Sequence, residues 1–178
     1  MATDADRVAR FLAYADKHAE EIAGVPAIEV ALVRRCAGEQ DALRDVLPET
    51  LGDFPLDKDA PQHKWIVVQM EGGALPALEL PHERDGGHAL THAVYWASDF
   101  GHSPLSSSGA VERLTGLLPD APDWEHTGQY LLALECLGAE LPAARLSAYC
   151  EWYDAPWRGG WANYHPRLVG ALLFALRG

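Results

Sequence analysis

Thr3 and Asp6 stand at the spacing of a capping box, and Val8, Phe11, Leu12, Ala15, Ala19 and Ile22 then recur on one face. The chain therefore opens with an amphipathic helix. Gly24 predicts its end, and Pro26 the first turn of a second helix that carries Ile28, Leu32 and Val33 towards Gly38. A short third helix is expected from Glu39 to Val46, closing near Pro48. Gly52, Pro55 and several aspartates mark residues 50–61 as a loop. Ile66, Val67 and Val68 make Trp65–Met70 the one run suited to a strand, but its helical setting favours a helix. Gly72 to Gly87 is rich in Gly, Pro and acids and reads as a long loop, a length that often carries function.

Beyond it the pattern predicts helices over His88–Ser98, Ser108–Leu118, Asp123–Leu137, Pro142–Tyr153 and Pro166–Arg177. Asp123 suits an N-cap and Gly138 a C-terminal stop. Leu168, Val169, Leu172, Leu173, Phe174 and Leu176 leave the last helix apolar on nearly every side, so it belongs inside a helical assembly. The fold class is all-α. A single domain over residues 1–178 is expected, its helical hairpins arranged as a solenoid or partial (α/α) toroid.

Composition changes this picture little. Apolar residues make up 48% and charged residues 22% of 178, which suits one globular domain with a sizeable core. No apolar run is long enough to span a bilayer. The acidic N-terminal segment reads as part of the fold rather than a secretory leader, which implies a cytoplasmic protein. A net charge of −12 argues against nucleic acid and anionic membranes as partners. It favours a neutral or cationic small molecule or another protein. Cys36, Cys136 and Cys150 are few, odd in number and widely spaced, and read as small core residues rather than a disulfide or zinc framework.

Chemistry concentrates in two stretches. On a helix turning about 100° per residue, His88, His92, Tyr95 and Asp99 fall on one face, opposite Leu90, Ala93, Val94 and Ala97. That face lacks Lys, Glu and Arg, as a cavity wall would. His92 suits a general acid or base, Asp99 an orienting or cation-stabilising group, and Tyr95 a hydrogen-bond donor. Trp96 and Trp124 are candidate substrate contacts nearby. Asp99 equally suits a helix-end cap. His88 and His92, four residues apart, are the candidate metal pair for zinc or iron, with His165 or Glu125 as a third ligand. The leading reading needs no cofactor. Asp99-Phe100-Gly101 matches a kinase triplet, but no glycine loop or catalytic-loop motif accompanies it.

The second stretch crowds Tyr149, Trp152, Tyr153, Trp157, Trp161 and Tyr164 around Gly159-Gly160. Trp157, Trp161 and Tyr164 would wall a pocket for a flat or cationic ligand, or seal the end of a helical stack. His165 follows, before Pro166, at the start of the most buried helix. The positive helix end there favours a neutral imidazole able to act as base or ligand.

Three motifs occur together: Thr91-His92-Ala93-Val94-Tyr95-Trp96-Ala97-Ser98-Asp99-Phe100-Gly101, then Asp123-Trp124-Glu125 with its leucine-rich run, then Tyr164-His165-Pro166-Arg167-Leu168-Val169-Gly170. They resemble an uncharacterised bacterial all-helical family, and the resemblance implies that His92, Asp99 and His165 matter. The layout is also similar to part of the helical toroids of peptide cyclases, in fold only, since their cysteine-rich zinc motif is missing here. The expected function is an enzyme acting on a small organic molecule, such as a biosynthetic intermediate, by His/Asp acid–base catalysis in a helical cavity: a cyclase, isomerase or lyase. A non-catalytic binding module and a His-ligated metal enzyme are the alternatives. The apolar edge of a partial toroid would suit a homodimer.

Overall fold

A computed structural model describes residues 2–22, 24–51, 56, 60–158, 160 and 163–178, with the side chain of Glu49 outside the description. Among the described residues the protein is all-helical, with no strand. The nine α-helices among the described residues are α1 (Asp4–Lys17), α2 (Val25–Cys36), α3 (Ala42–Leu51), α4 (Pro61–Glu71), α5 (Gly86–Ala97), α6 (Ser108–Leu117), α7 (Trp124–Cys136), α8 (Ala143–Asp154) and α9 (His165–Arg177). Short 3₁₀ turns occupy Ala19–Glu21, Glu83–Asp85 and Leu118–Asp120. None of these helices is long and apolar enough to cross a membrane.

Internal contacts divide the chain into two compact units, residues 1–54 with 150–178, and residues 55–149. In the first, Thr3 accepts from the Asp6 amide at 3.1 Å while its own amide donates to the Asp6 carboxylate at 2.9 Å, the reciprocal cap that starts α1. Val8, Phe11 and Ala15 form the buried face of α1, and both α1 and α2 pack on α9. Residues 168–174 of α9 are all buried, so the helix that the sequence makes apolar all round is indeed the unit's centre. Arg7 lies in this interior at 4% exposure. Its Nε and Nη2 donate to Asp154 at 2.8 and 2.7 Å, its Nη1 donates to Asp4 at 2.8 Å, and its guanidinium lies over Phe174. The third helix does not close before Pro48 as expected: α3 runs on to Leu51 with Pro48 inside it. Leu43 and Leu47, both fully buried, anchor its inner face, and that packing outweighs the amide hydrogen bond a proline removes.

The second unit is built around α7, whose residues 127–134 are all buried. Asp123 caps it, accepting from the His126 amide at 2.9 Å, and Gly138 ends it at φ 64°, with the Ala139 amide returning to the Leu134 carbonyl at 3.0 Å. The Trp65–Met70 run is helical within α4 and buries Trp65. Helix α5 packs on α4 and α7. Its approach to α7 requires glycine at position 87, where a Cβ would meet the Tyr130 hydroxyl at 2.3 Å. No disulfide joins the three cysteines, of which Cys136 is buried and the other two half-buried.

Candidate functional site

The expected α5 face is realised only in part. His88 and His92 lie one turn apart, their rings 4.1 Å between centroids, with His88 exposed and His92 half-buried. The His92 ring also meets Tyr95 at 5.8 Å and Trp96 at 6.0 Å. Tyr95 is on the same face but buried, and its hydroxyl donates to the Gln129 carbonyl of α7 at 2.8 Å. Burial pushes its pKa well above the usual tyrosine value. This tyrosine joins two helices.

Asp99 leaves the face altogether. The helix ends at Ala97, and Asp99 and Phe100 take left-handed φ values of 51° and 52°, followed by Gly101 at 82°. This turn carries the carboxylate towards α4, where Asp99 Oδ1 accepts from the Trp65 indole at 2.7 Å and from the Gln69 amide at 2.9 Å. Phe100 packs against Trp65, Tyr95 and Trp96. The geometry makes Asp99 a clasp between α4 and α5, while the Gly101 amide of the turn donates to Ser98 Oγ at 3.1 Å. Trp96 is half-buried on Trp65, at 5.2 Å. Trp124 lies against Tyr149, with centroids 6.3 Å apart.

The polar group that does adjoin the histidines is one the sequence did not single out. Gln129 of α7 is 1% exposed, with its Oε1 3.4 Å from His88 Nδ1 and its Nε2 donating to Glu125 at 3.5 Å. Among the described residues no three His, Cys, Asp or Glu side chains gather where a metal ion could sit.

In the other unit, His165 is the first residue of α9, and Tyr164 stands just before it, their rings perpendicular with centroids 6.1 Å apart. The Tyr164 hydroxyl donates to Glu29 Oε2 of α2. All three side chains are half-buried. Burial pushes the Glu29 carboxyl above the ordinary glutamate value, against the opposing pull of the Tyr164 hydrogen bond and of His165. Burial and the Glu29 partner likewise raise Tyr164. Glu29 carries no local signal, because its partner lies 135 residues away in sequence.

The Trp157 ring is covered by the protein's own cations. The Arg10 guanidinium lies 4.2 Å and that of Arg167 5.2 Å from the Trp157 ring, which also meets Tyr14 and Tyr153 edge-on. Arg10 donates to the Tyr153 and Ala155 carbonyls at 2.9 Å, and Tyr14 to that of Gly160 at 2.7 Å. Trp157 thus packs at the end of α8, its indole donating to the Tyr153 carbonyl at 2.8 Å. Trp161 lies outside the described residues.

No protein-family model matches this chain, and neither a curated protein nor a solved structure was found to match it. The family resemblance rests on its three motifs alone, and the toroid resemblance on the helical layout alone.

Proposed function

We propose that the protein is an acid–base enzyme for a small neutral or cationic organic molecule, and that Glu29, Tyr164 and His165 carry the chemistry. The supporting observation is the Tyr164–Glu29 hydrogen bond, with an imidazole on the adjacent residue. Carboxyl groups whose burial keeps them protonated beyond their ordinary range are the ones that donate protons near neutral pH. In this reading His165 takes a proton from the substrate and Glu29 returns one, leaving the proton count unchanged, as in an isomerisation, a cyclisation or an elimination with protonated leaving group. Tyr164 holds the carboxyl in place. A biosynthetic substrate and a helical solenoid or partial toroid belong to the same proposal, the latter tested by small-angle scattering. So does a homodimer, tested by sedimentation.

The test is a thermal-shift screen of neutral and cationic small molecules, followed by product analysis on each hit. Glu29→Gln and His165→Ala are expected to abolish product while keeping the helical circular-dichroism signal. Unchanged turnover in both variants would sink the reading.

A non-catalytic binding module is the second reading. It is favoured by a groove of about 340 Å³ between α2 and α3, lined by Ile22, Ala27, Val30, Ala31 and Val46 with Arg34, Glu39 and Asp45 at its polar side. Under it, hits bind without forming product, and Ala31→Phe displaces them.

A further inference from the structure

We propose that His88 and His92 bind one divalent transition-metal ion of borderline softness, zinc or nickel, with Gln129 and Glu125 as positioning residues. This site is independent of the Glu29 cluster. Side chains four residues apart lie one above the other on a helix, and two imidazoles so placed can share one metal. The rings are already 4.1 Å apart between centroids, close enough for one nitrogen of each to reach a shared ion. His88 is exposed and His92 half-buried, so the ion has direct access from solvent.

The independent observation is Gln129. Its amide is 1% exposed, yet its two side-chain contacts, 3.4 Å to His88 Nδ1 and 3.5 Å to Glu125, are at the weak limit of hydrogen bonding. Metal-ligating histidines characteristically donate their second ring N–H to a carbonyl or carboxylate, which sets the tautomer and aims the other nitrogen. Gln129 Oε1 faces His88 Nδ1 in that way, leaving His88 Nε2 for the ion. Glu125, accepting from Gln129 Nε2, sets which end of the amide faces the ring. A metal on Nε2 would make the Nδ1–H a stronger donor and draw this relay shorter. Two protein ligands leave the remaining coordination positions to water or substrate, one protein ligand fewer than an ordinary catalytic zinc site has. The net charge of −12 favours cation capture at long range.

The experiment titrates the purified, chelator-stripped protein with zinc or nickel chloride by calorimetry, with cobalt absorption as a second readout. One saturable equivalent is expected. His88→Ala, at an exposed position that folding tolerates, and His92→Ala should each abolish it. Gln129→Leu should keep the stoichiometry and weaken affinity by about tenfold or more, while His82→Ala and His126→Ala leave binding unchanged. No saturable equivalent, or one that survives His88→Ala, overturns the proposal. So does a Gln129→Leu variant that stays folded and binds as tightly as the parent.

Discussion

The Trp65 indole donates to Asp99 Oδ1 at 2.7 Å, and through this bond the turn that ends α5 holds the fully buried tryptophan of α4 in place. Because Gln69 shares the same oxygen, one carboxylate serves two donors from one helix. Asp99→Ala withdraws the acceptor from both and puts alanine at φ 51°, where a short polar side chain is better tolerated. The expected loss is about 2–4 kcal/mol in urea denaturation, with a change in tryptophan fluorescence in the native baseline. A loss under about 0.5 kcal/mol, the range of an ordinary surface substitution, would show that the clasp does not contribute.

Gly87→Ala tests the contact between α5 and α7. The new methyl would lie 2.3 Å from the Tyr130 hydroxyl and 2.6 Å from its ring carbon Cε1, so helix or ring must shift. Overpacking of this kind costs about 1–3 kcal/mol. Tyr130→Phe should not relieve the strain, since the ring carbon still collides, whereas Tyr130→Ala in the Gly87→Ala background should abolish the coupling between the two sites. A double-mutant cycle measures it.

Arg7 predicts a different loss. Its removal strips Asp154 of a bidentate partner and Asp4 of a single bond, in an interior where the arginine side chain is 5% exposed. Because Asp154 and Asp4 keep 29% and 26% exposure, water can take up part of the unpaired charge. Arg7→Ala is therefore expected to cost about 2–3 kcal/mol, somewhat less than breaking a fully enclosed pair. Arg7→Lys should recover only a fraction, since an ammonium cannot make the parallel fork. Full recovery in chemical denaturation would show that charge alone matters.

Glu29 predicts a pH dependence of definite sign. Its folded pKa is raised, so the folded protein holds this proton more tightly than the unfolded chain, whose value is near 4.5. The associated stability is fully present below that value and is lost as pH rises through the folded pKa. Glu29→Gln keeps an acceptor for Tyr164 but carries no charge. Its melting temperature should equal or exceed that of the parent at pH 7.5, with the advantage shrinking towards pH 4.5. The opposite trend in a pH series of thermal melts would mean that the carboxylate, not the acid, is the form the fold prefers.

The boundaries of most helices were legible because their signals are local. Thr3 with Asp6, Asp123, and Gly138 each act within a few residues, and the structure uses all of them as caps or stops. The polar face failed at Asp99 for a geometric reason: a turn of about 100° per residue holds only inside the helix, and α5 had already ended at Ala97. Glu29 and Gln129 escaped notice because their site partners are 135 and 41 residues away, distances at which periodicity carries no information. Trp157 looked available for a ligand cation because Arg10, the nearer of the two arginines over it, comes from α1 at the other end of the chain, while Arg167 reaches it from the start of α9.

The position of α9 bears on the order of synthesis. The unit it centres is interrupted in sequence by the whole of the other, residues 55–149. At some 5–20 residues per second, roughly 5–20 s separate the emergence of α3 from that of α9, the helix that covers α1 and α2. During that interval α1 and α2 present Phe11, Leu32 and Val33 with no α9 to receive them, while residues 55–149 can already assemble in one continuous piece. A ribosome pausing in that window would hold out a sticky nascent chain, and this is where a chaperone would act.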